Sequence, residues 1–180
     1  MSEVRGRFIT LAGSLMSLYP VKREEADALL FAQTGKHYKE LEPEGWFDTK
    51  WIKLFLDKYV EASLTGTGAL VTFGRKIYPT IKATLPKHLK TPLDFLKFEN
   101  ETFLSSHKGP DVKPRKYIKS TEGNVIIQAT VPSWNHSKLY EGVYVGILEM
   151  CGVKNGKVVL TKIQEKGDGI TEYHITWNKS

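Results

Sequence analysis

The side chains with the richest chemistry here are five histidines, one cysteine and two carboxylates set in an apolar stretch. His37, His88, His107, His136 and His174 never pair with another His, Cys or carboxylate at the i+3 or i+4 spacing of a metal site on a predicted helix. Haem iron needs only one strong protein ligand, and His107, which ends a Phe-rich helix, is the best placed of the five. A histidine at that position is also explained by its favourable interaction with a helix C-terminus. Cys151 lies at the end of an apolar helix beside Met150, where the dipole disfavours a thiolate, so burial accounts for it better than nucleophilic use. Glu141 and Glu149 stand two helical turns apart and form no acid/base pair. The chain has no G-x-S-x-G, Walker loop or H-E-x-x-H. Gly66-Thr67-Gly68 follows a predicted helix and lacks the third glycine of a dinucleotide fingerprint.

With no catalytic constellation, attention moves to groups that could line a cavity. Phe95, Phe98, Phe103, Trp134, Tyr140 and Tyr144 fall on neighbouring segments. Such a set is core or pocket wall. The expected ligand-binding group is Phe95, Phe98, Phe103, His107, Trp134, Tyr144, Ile147 and Cys151. Gly142 and Gly146, one turn apart, make a notch that lets another backbone or a flat ligand approach closely, close helix–sheet packing being the plainer reading.

The elements that must position these groups follow from periodicity. A short strand or turn over Arg7–Tyr19 enters a helix that Pro20 ends, and a second helix covers Lys22–Thr34, stopped by Gly35. Asp48 caps a helix to Ser63 with a stripe of Trp51, Ile52, Phe55, Leu56, Tyr59 and Val60. Another helix covers Ala69–Ala83, and Pro79 should end or bend it near Tyr78. Thr91-Pro92 opens a helix with Asp94 in its first turn. Two hairpins, Arg115–Ser120 with Asn124–Val131 and Val158–Gln164 with Ile170–Trp177, flank a helix over Ser137–Cys151. The expected fold class is α+β, a helical N-terminal half packed with a C-terminal antiparallel sheet (β-β-α-β-β), as a single domain over residues 1–180.

Composition narrows the function classes. The net charge of +6 invites a nucleic-acid partner, and between Thr80 and Ser120 nine Lys/Arg face four Asp/Glu. These are mostly Lys, dispersed, with no helix-turn-helix or finger, so nucleic-acid binding is not expected. One cysteine excludes an internal disulfide and multi-thiolate zinc sites. Neither a signal peptide nor a membrane span is read, and the cytoplasm is the expected compartment.

Tyr140-Glu-Gly-x-x-x-Gly146, then Gly156-Lys157-Val158, Gly167-Asp168 and Glu172-Tyr173-x-Ile175-x-Trp177 resemble the 4-vinyl reductase domain and its relatives, which include the haem-NO-binding-like sensors and TRAPP vesicle-tethering subunits. Trp46-Phe47 and Phe73-Gly74-Arg75 are similar to the helical half of that superfamily, of which stand-alone members occur in myxobacteria. The resemblance implies an α+β ligand-sensing fold, often homodimeric. Its interior would hold a small hydrophobic molecule: an aromatic compound, a tetrapyrrole or an acyl chain. Ser137, Gln164 and Thr171 stand where zinc-binding relatives place cysteines, so structural zinc is not expected. The Tyr-x-Ser-x-Arg haem signature is missing, which counts against haem and leaves the cofactor unknown. The reading is a non-catalytic ligand-binding sensor. The alternative is an assembly protein with a filled core.

Overall fold

The computed structural model describes residues 1–178. They form, in order, β1 (Glu3–Arg5), α1 (Gly6–Leu15), α2 (Pro20–Thr34), β2 (Trp46–Asp48), α3 (Lys50–Ala62), α4 (Ala69–Ile81), α5 (Pro92–Ser106), β3 (His107–Lys108), β4 (Lys116–Thr121), β5 (Asn124–Ala129), α6 (Ser137–Met150), β6 (Lys157–Lys162) and β7 (Thr171–Thr176). The class is α+β. A four-stranded sheet has the order β4-β5-β7-β6, with every neighbouring pair antiparallel.

Local chemistry explains most boundaries. Thr91 Oγ1 accepts from the Asp94 amide at 3.2 Å while Asp94 Oδ2 accepts from the Thr91 amide at 2.8 Å, a reciprocal cap on α5 with Pro92 just inside it. Asp48 Oδ1 accepts from the Lys50 amide at 2.8 Å and so starts α3, whose Trp51, Ile52, Phe55, Leu56 and Tyr59 are buried as one stripe. Gly35 closes α2 at φ 69°, a left-handed position that glycine adopts without strain.

Three expectations are corrected. Pro20 does not terminate a helix; it occupies the first turn of α2, where its missing N–H costs nothing. Pro79 does not end α4, which continues to Ile81: only two residues follow the proline, so little helix has to survive its lost hydrogen bond. A second sheet, β2-β1-β3, adds to the expected elements. Its strands are two or three residues long, too short to show alternation, and it exists because Val4 pairs with both Phe47 and His107.

The glycine notch is settled by packing. A Cβ added to Gly142 would strike the Val71 carbonyl oxygen, one at Gly146 the Arg75 carbonyl oxygen, and one at Gly74 the Leu139 carbonyl oxygen. The notch therefore receives neither the sheet nor a flat ligand. It receives helix α4, backbone against backbone.

Val125, Ile127 and Ala129 on β5 and Thr171, Tyr173 and Ile175 on β7 alternate inward and are buried. Tyr144 and Ile147 of α6 meet this face at zero exposure, the Tyr144 and Tyr173 rings lying 5.1 Å apart, edge to face. Side chains fill the space between α6 and the hairpins.

Candidate functional site

The hollow lies beside this layer, against the first two turns of α6. A cavity of about 80 Å³ is lined by Leu139, Tyr140 and Val143 of α6, Ile77 and Tyr78 of α4, Glu99, Thr102 and Phe103 of α5, and Phe8, Ile52, His107, Trp134 and Asn135 from four other segments. Its floor residues are buried, while Phe8, Ile77, Thr102 and Asn135 are partly exposed and form its rim. Larger clefts exist, such as one of about 420 Å³ beside Cys151, but Lys90, Lys154, Asn155 and Glu122 line it and make it a wet surface groove. The smaller hollow has the apolar walls of a ligand site.

His107 is held from three directions. Its backbone pairs with Val4 in the three-stranded sheet. Its Nδ1–H donates to the Phe103 carbonyl at 2.9 Å, since a carbonyl can only accept. Its ring stacks between Phe103 (centroids 4.7 Å) and Trp134 (5.2 Å, planes 11° apart). Burial lowers its pKa from 6.5 to about 4; the bond to the Phe103 carbonyl opposes that shift, and Arg115 and Arg7 add to it. At neutral pH the ring is uncharged, and Nε2 is left as an acceptor.

Beside it sits a buried ion pair that sequence reading did not find. Arg115 Nη2 is 3.0 Å from Glu99 Oε1, with the two side chains 0% and 7% exposed. The guanidinium carbon lies 3.9 Å from the Phe103 ring centroid and 4.4 Å from that of Tyr140. The Arg115 amide donates to Asn100 Oδ1 at 2.8 Å, tying the start of β4 to α5. Glu99 Oε2, Arg115 Nε and Nη1, and Trp134 Nε1 are buried without a protein partner. A signal for Glu99 was present: it follows Phe95 and Leu96 and precedes Phe103 on the buried stripe of α5, where a carboxylate is costly unless paired. Nothing local marks Arg115.

Trp134 is carried by the loop before α6, which is fixed at both ends. Gln164 bridges to Val131, accepting its amide at 2.9 Å and donating to its carbonyl at 3.0 Å. Asn135 Nδ2 donates to the Tyr140 hydroxyl at 3.0 Å.

Of the eight residues expected at a ligand site, Phe103, His107 and Trp134 come together on the cavity wall. Tyr144 and Ile147 lie in the filled layer against the sheet, Phe95 is buried elsewhere in the core, and Phe98 packs partly buried against it. Cys151 is half-buried in the surface groove, and burial pushes its thiol up to about 11, a setting without nucleophilic activation. Among the described residues no cluster of three or more His, Cys, Asp or Glu could hold a metal ion, and no helix is long and apolar enough to cross a membrane.

No family model and no curated protein matches the sequence. Solved structures do. A mutant of the Fe(II) unliganded H-NOX protein from K. algicida superposes with a TM-score of 0.67 at 15% identity, covering 98% of this chain and 97% of that one. A mutant of T. tengcongensis H-NOX gives 0.64 at 15% identity over 97% and 98%. An oxygen-binding H-NOX domain related to soluble guanylate cyclases, in its oxygen complex, gives 0.64 at 15% over 94% and 92%.

Haem is the group this fold implies, and the residues present do not fit it. The cavity measures about 80 Å³, whereas pockets for ligands of drug size run to roughly 300–1,000 Å³. Both faces of the His107 ring are covered by aromatic neighbours, and Arg115, Phe103 and Tyr140 pack solidly beside it. Two antiparallel sheets and six helices among the described residues, with near-complete superposition, give this chain the fold of the H-NOX domains.

Proposed function

We propose that the chain is a non-catalytic ligand-binding or sensory module, a single domain acting in the cytoplasm, whose guest is a small hydrophobic molecule held in the α1/α3/α4/α5/α6 cavity. The observation that carries this reading is the cavity itself: six aromatic or imidazole side chains, Phe8, Tyr78, Phe103, His107, Trp134 and Tyr140, around about 80 Å³. An engineered cavity of about 150 Å³ holds benzene, so the guest is smaller than a six-membered ring, or its entry displaces a rim side chain. Long acyl chains and tetrapyrroles are disfavoured on the same ground. The fold likeness to an oxygen-binding domain, and to a family in which haem distortion has been probed, supports a sensory role. On this reading the macrocycle is lost and the stand-alone, 4-vinyl-reductase-like mode of apolar ligand capture is retained. Homodimerisation would carry the output.

The test is a two-dimensional amide spectrum recorded under xenon pressure and with added thiophene. Shifts confined to residues around Phe103, His107, Trp134 and Tyr140 support the reading, and saturating concentrations without local shifts overturn it. The filled layer between α6 and the sheet favours a second reading, an assembly protein acting through its surface. It would show no probe shifts together with concentration-dependent sedimentation.

A further inference from the structure

An antiparallel sheet packed on one side only should read polar on the other, and the outer face of the four-stranded sheet departs from that pattern. Register places Ile126 of β5 opposite His174 of β7, and His174 opposite Val159 of β6. One cross-strand row on the solvent side therefore carries two aliphatic side chains around an imidazole. Val159 is 53% exposed, and Ile118, at the bulge of β4, is 48% exposed. Lysines frame this row on both outer strands, Lys116 and Lys119 on β4 and Lys157 and Lys162 on β6. Three strand spacings of roughly 4.8 Å set the two lysine edges about 14 Å apart. The only carboxylate in the four strands, Glu172, is already engaged. It accepts from Gln128 Nε2 at 2.6 Å, Thr161 Oγ1 at 2.7 Å and His174 Nε2 at 3.1 Å. These bonds, that from Gln128 foremost, lower its pKa to about 2. Lys162 reaches it only at 3.9 Å, and among the described residues Lys116, Lys119 and Lys157 have no carboxylate within ion-pair distance.

Edge protection accounts for the lysines, since cations and bulges on outer strands deter strand addition, and both outer strands are bulged. It does not account for the aliphatic side chains between them. We infer that this face docks a partner protein whose surface sets Asp and Glu side chains around an aliphatic centre, the charges meeting Lys116, Lys119, Lys157 and Lys162 and the centre covering Ile126 and Val159. An apolar centre inside a polar rim is the usual anatomy of a protein interface. A second copy does not fit, because two-fold pairing presents the face to itself, four lysines against four. Nucleic acid does not fit either. Single strands laid on a sheet stack their bases on outward aromatic rings, whereas the tyrosines of these strands turn inward: Tyr117 donates to the Leu96 carbonyl and Tyr173 to the Ser137 carbonyl. The face shares no residue with the cavity wall, so docking there stands whether or not the cavity takes a guest.

The experiment records amide shifts of the full chain titrated with a synthetic amphipathic peptide of leucine and glutamate. The same peptide with lysine for glutamate, vesicles containing phosphatidylserine, and an oligothymidine serve as the competing probes. The expected result is that only the acidic peptide shifts the amides of β4 to β7, and that added salt weakens its binding. Val159→Asp and the double variant Lys119→Glu/Lys157→Glu should each weaken it about tenfold. All three positions are exposed, and surface substitutions of this kind leave stability nearly unchanged. Equal binding of the lysine peptide, shifts away from the sheet, or unchanged affinity in both variants would overturn the proposal. Vesicles or oligothymidine binding the face as well as the acidic peptide does would overturn it too, as would silence of every probe.

Discussion

His107 makes the stability of this protein pH-dependent with a predictable sign. An ordinary histidine takes up a proton near pH 6.5, as the unfolded chain does, whereas burial between Phe103 and Trp134 holds the folded ring neutral to about pH 4. Between those values the unfolded state binds more protons than the folded one, so stability is complete above about 6.5, falls as the pH is lowered, and stops falling below about 4. At about 1.4 kcal/mol per pH unit the loss amounts to about 3 kcal/mol, a sizeable part of the roughly 5–15 kcal/mol by which a domain is usually stable. Carboxylates titrate in the same window, so the assay compares the protein with His107→Gln, which cannot protonate. Urea midpoints are recorded at pH 7, 6, 5 and 4. The variant should be the less stable protein at pH 7, and its deficit should shrink by about 3 kcal/mol by pH 4. A deficit independent of pH would refute the reasoning, as would a His107 ring carbon that titrates near 6.5 by NMR.

Removing one member of the Glu99–Arg115 pair leaves the other charge buried: Glu99→Leu alone should cost about 3–5 kcal/mol by urea denaturation, and adding Arg115→Met should restore most of it. Gly142→Ala and Gly146→Ala each drive a methyl group into an α4 carbonyl and should cost at least about 1–3 kcal/mol, read as a lower melting temperature. With its thiol pushed up to about 11, Cys151 should react with a disulfide reagent at pH 8 at least about tenfold more slowly than a free cysteine.

What could be read from the sequence was local. The Thr91 cap, the stripe of α3, the two hairpins and α6 announce themselves within a few residues, and together they give the α+β class. What could not be read was non-local. The Gly142/Gly146 notch is visible in the chain, but that α4 fills it depends on Gly74, nearly seventy residues earlier. The short sheet β2-β1-β3 is held together by pairings between strands that whole helices separate in the chain, α1 and α2 before β2 and three more before β3. At the site, Phe103, His107 and Trp134 share a wall because aromatic character marks them. The Phe95, Phe98, Tyr144 and Ile147 side chains have the same apolar character and pack elsewhere, and no pattern within one helix distinguishes the two groups. The Glu99 carboxylate could have been found by asking why a charge sits on an apolar stripe. Its partner Arg115 could not, since the residue that answers it lies beyond the end of the helix.

The backbone-to-backbone seam between α4 and α6 governs how anything could get in. Ile77 and Tyr78 ride on one helix of that seam and Leu139, Tyr140 and Val143 on the other, so these two walls move as a single stiff plate. On the facing side the plate is met by side chains: Asn135 of the Trp134 loop donates to the Tyr140 hydroxyl, and the Arg115 guanidinium lies over the Tyr140 ring. Weakening the Gln164 or Asn135 bonds should therefore raise amide exchange around Trp134 while the α4–α6 plate stays protected.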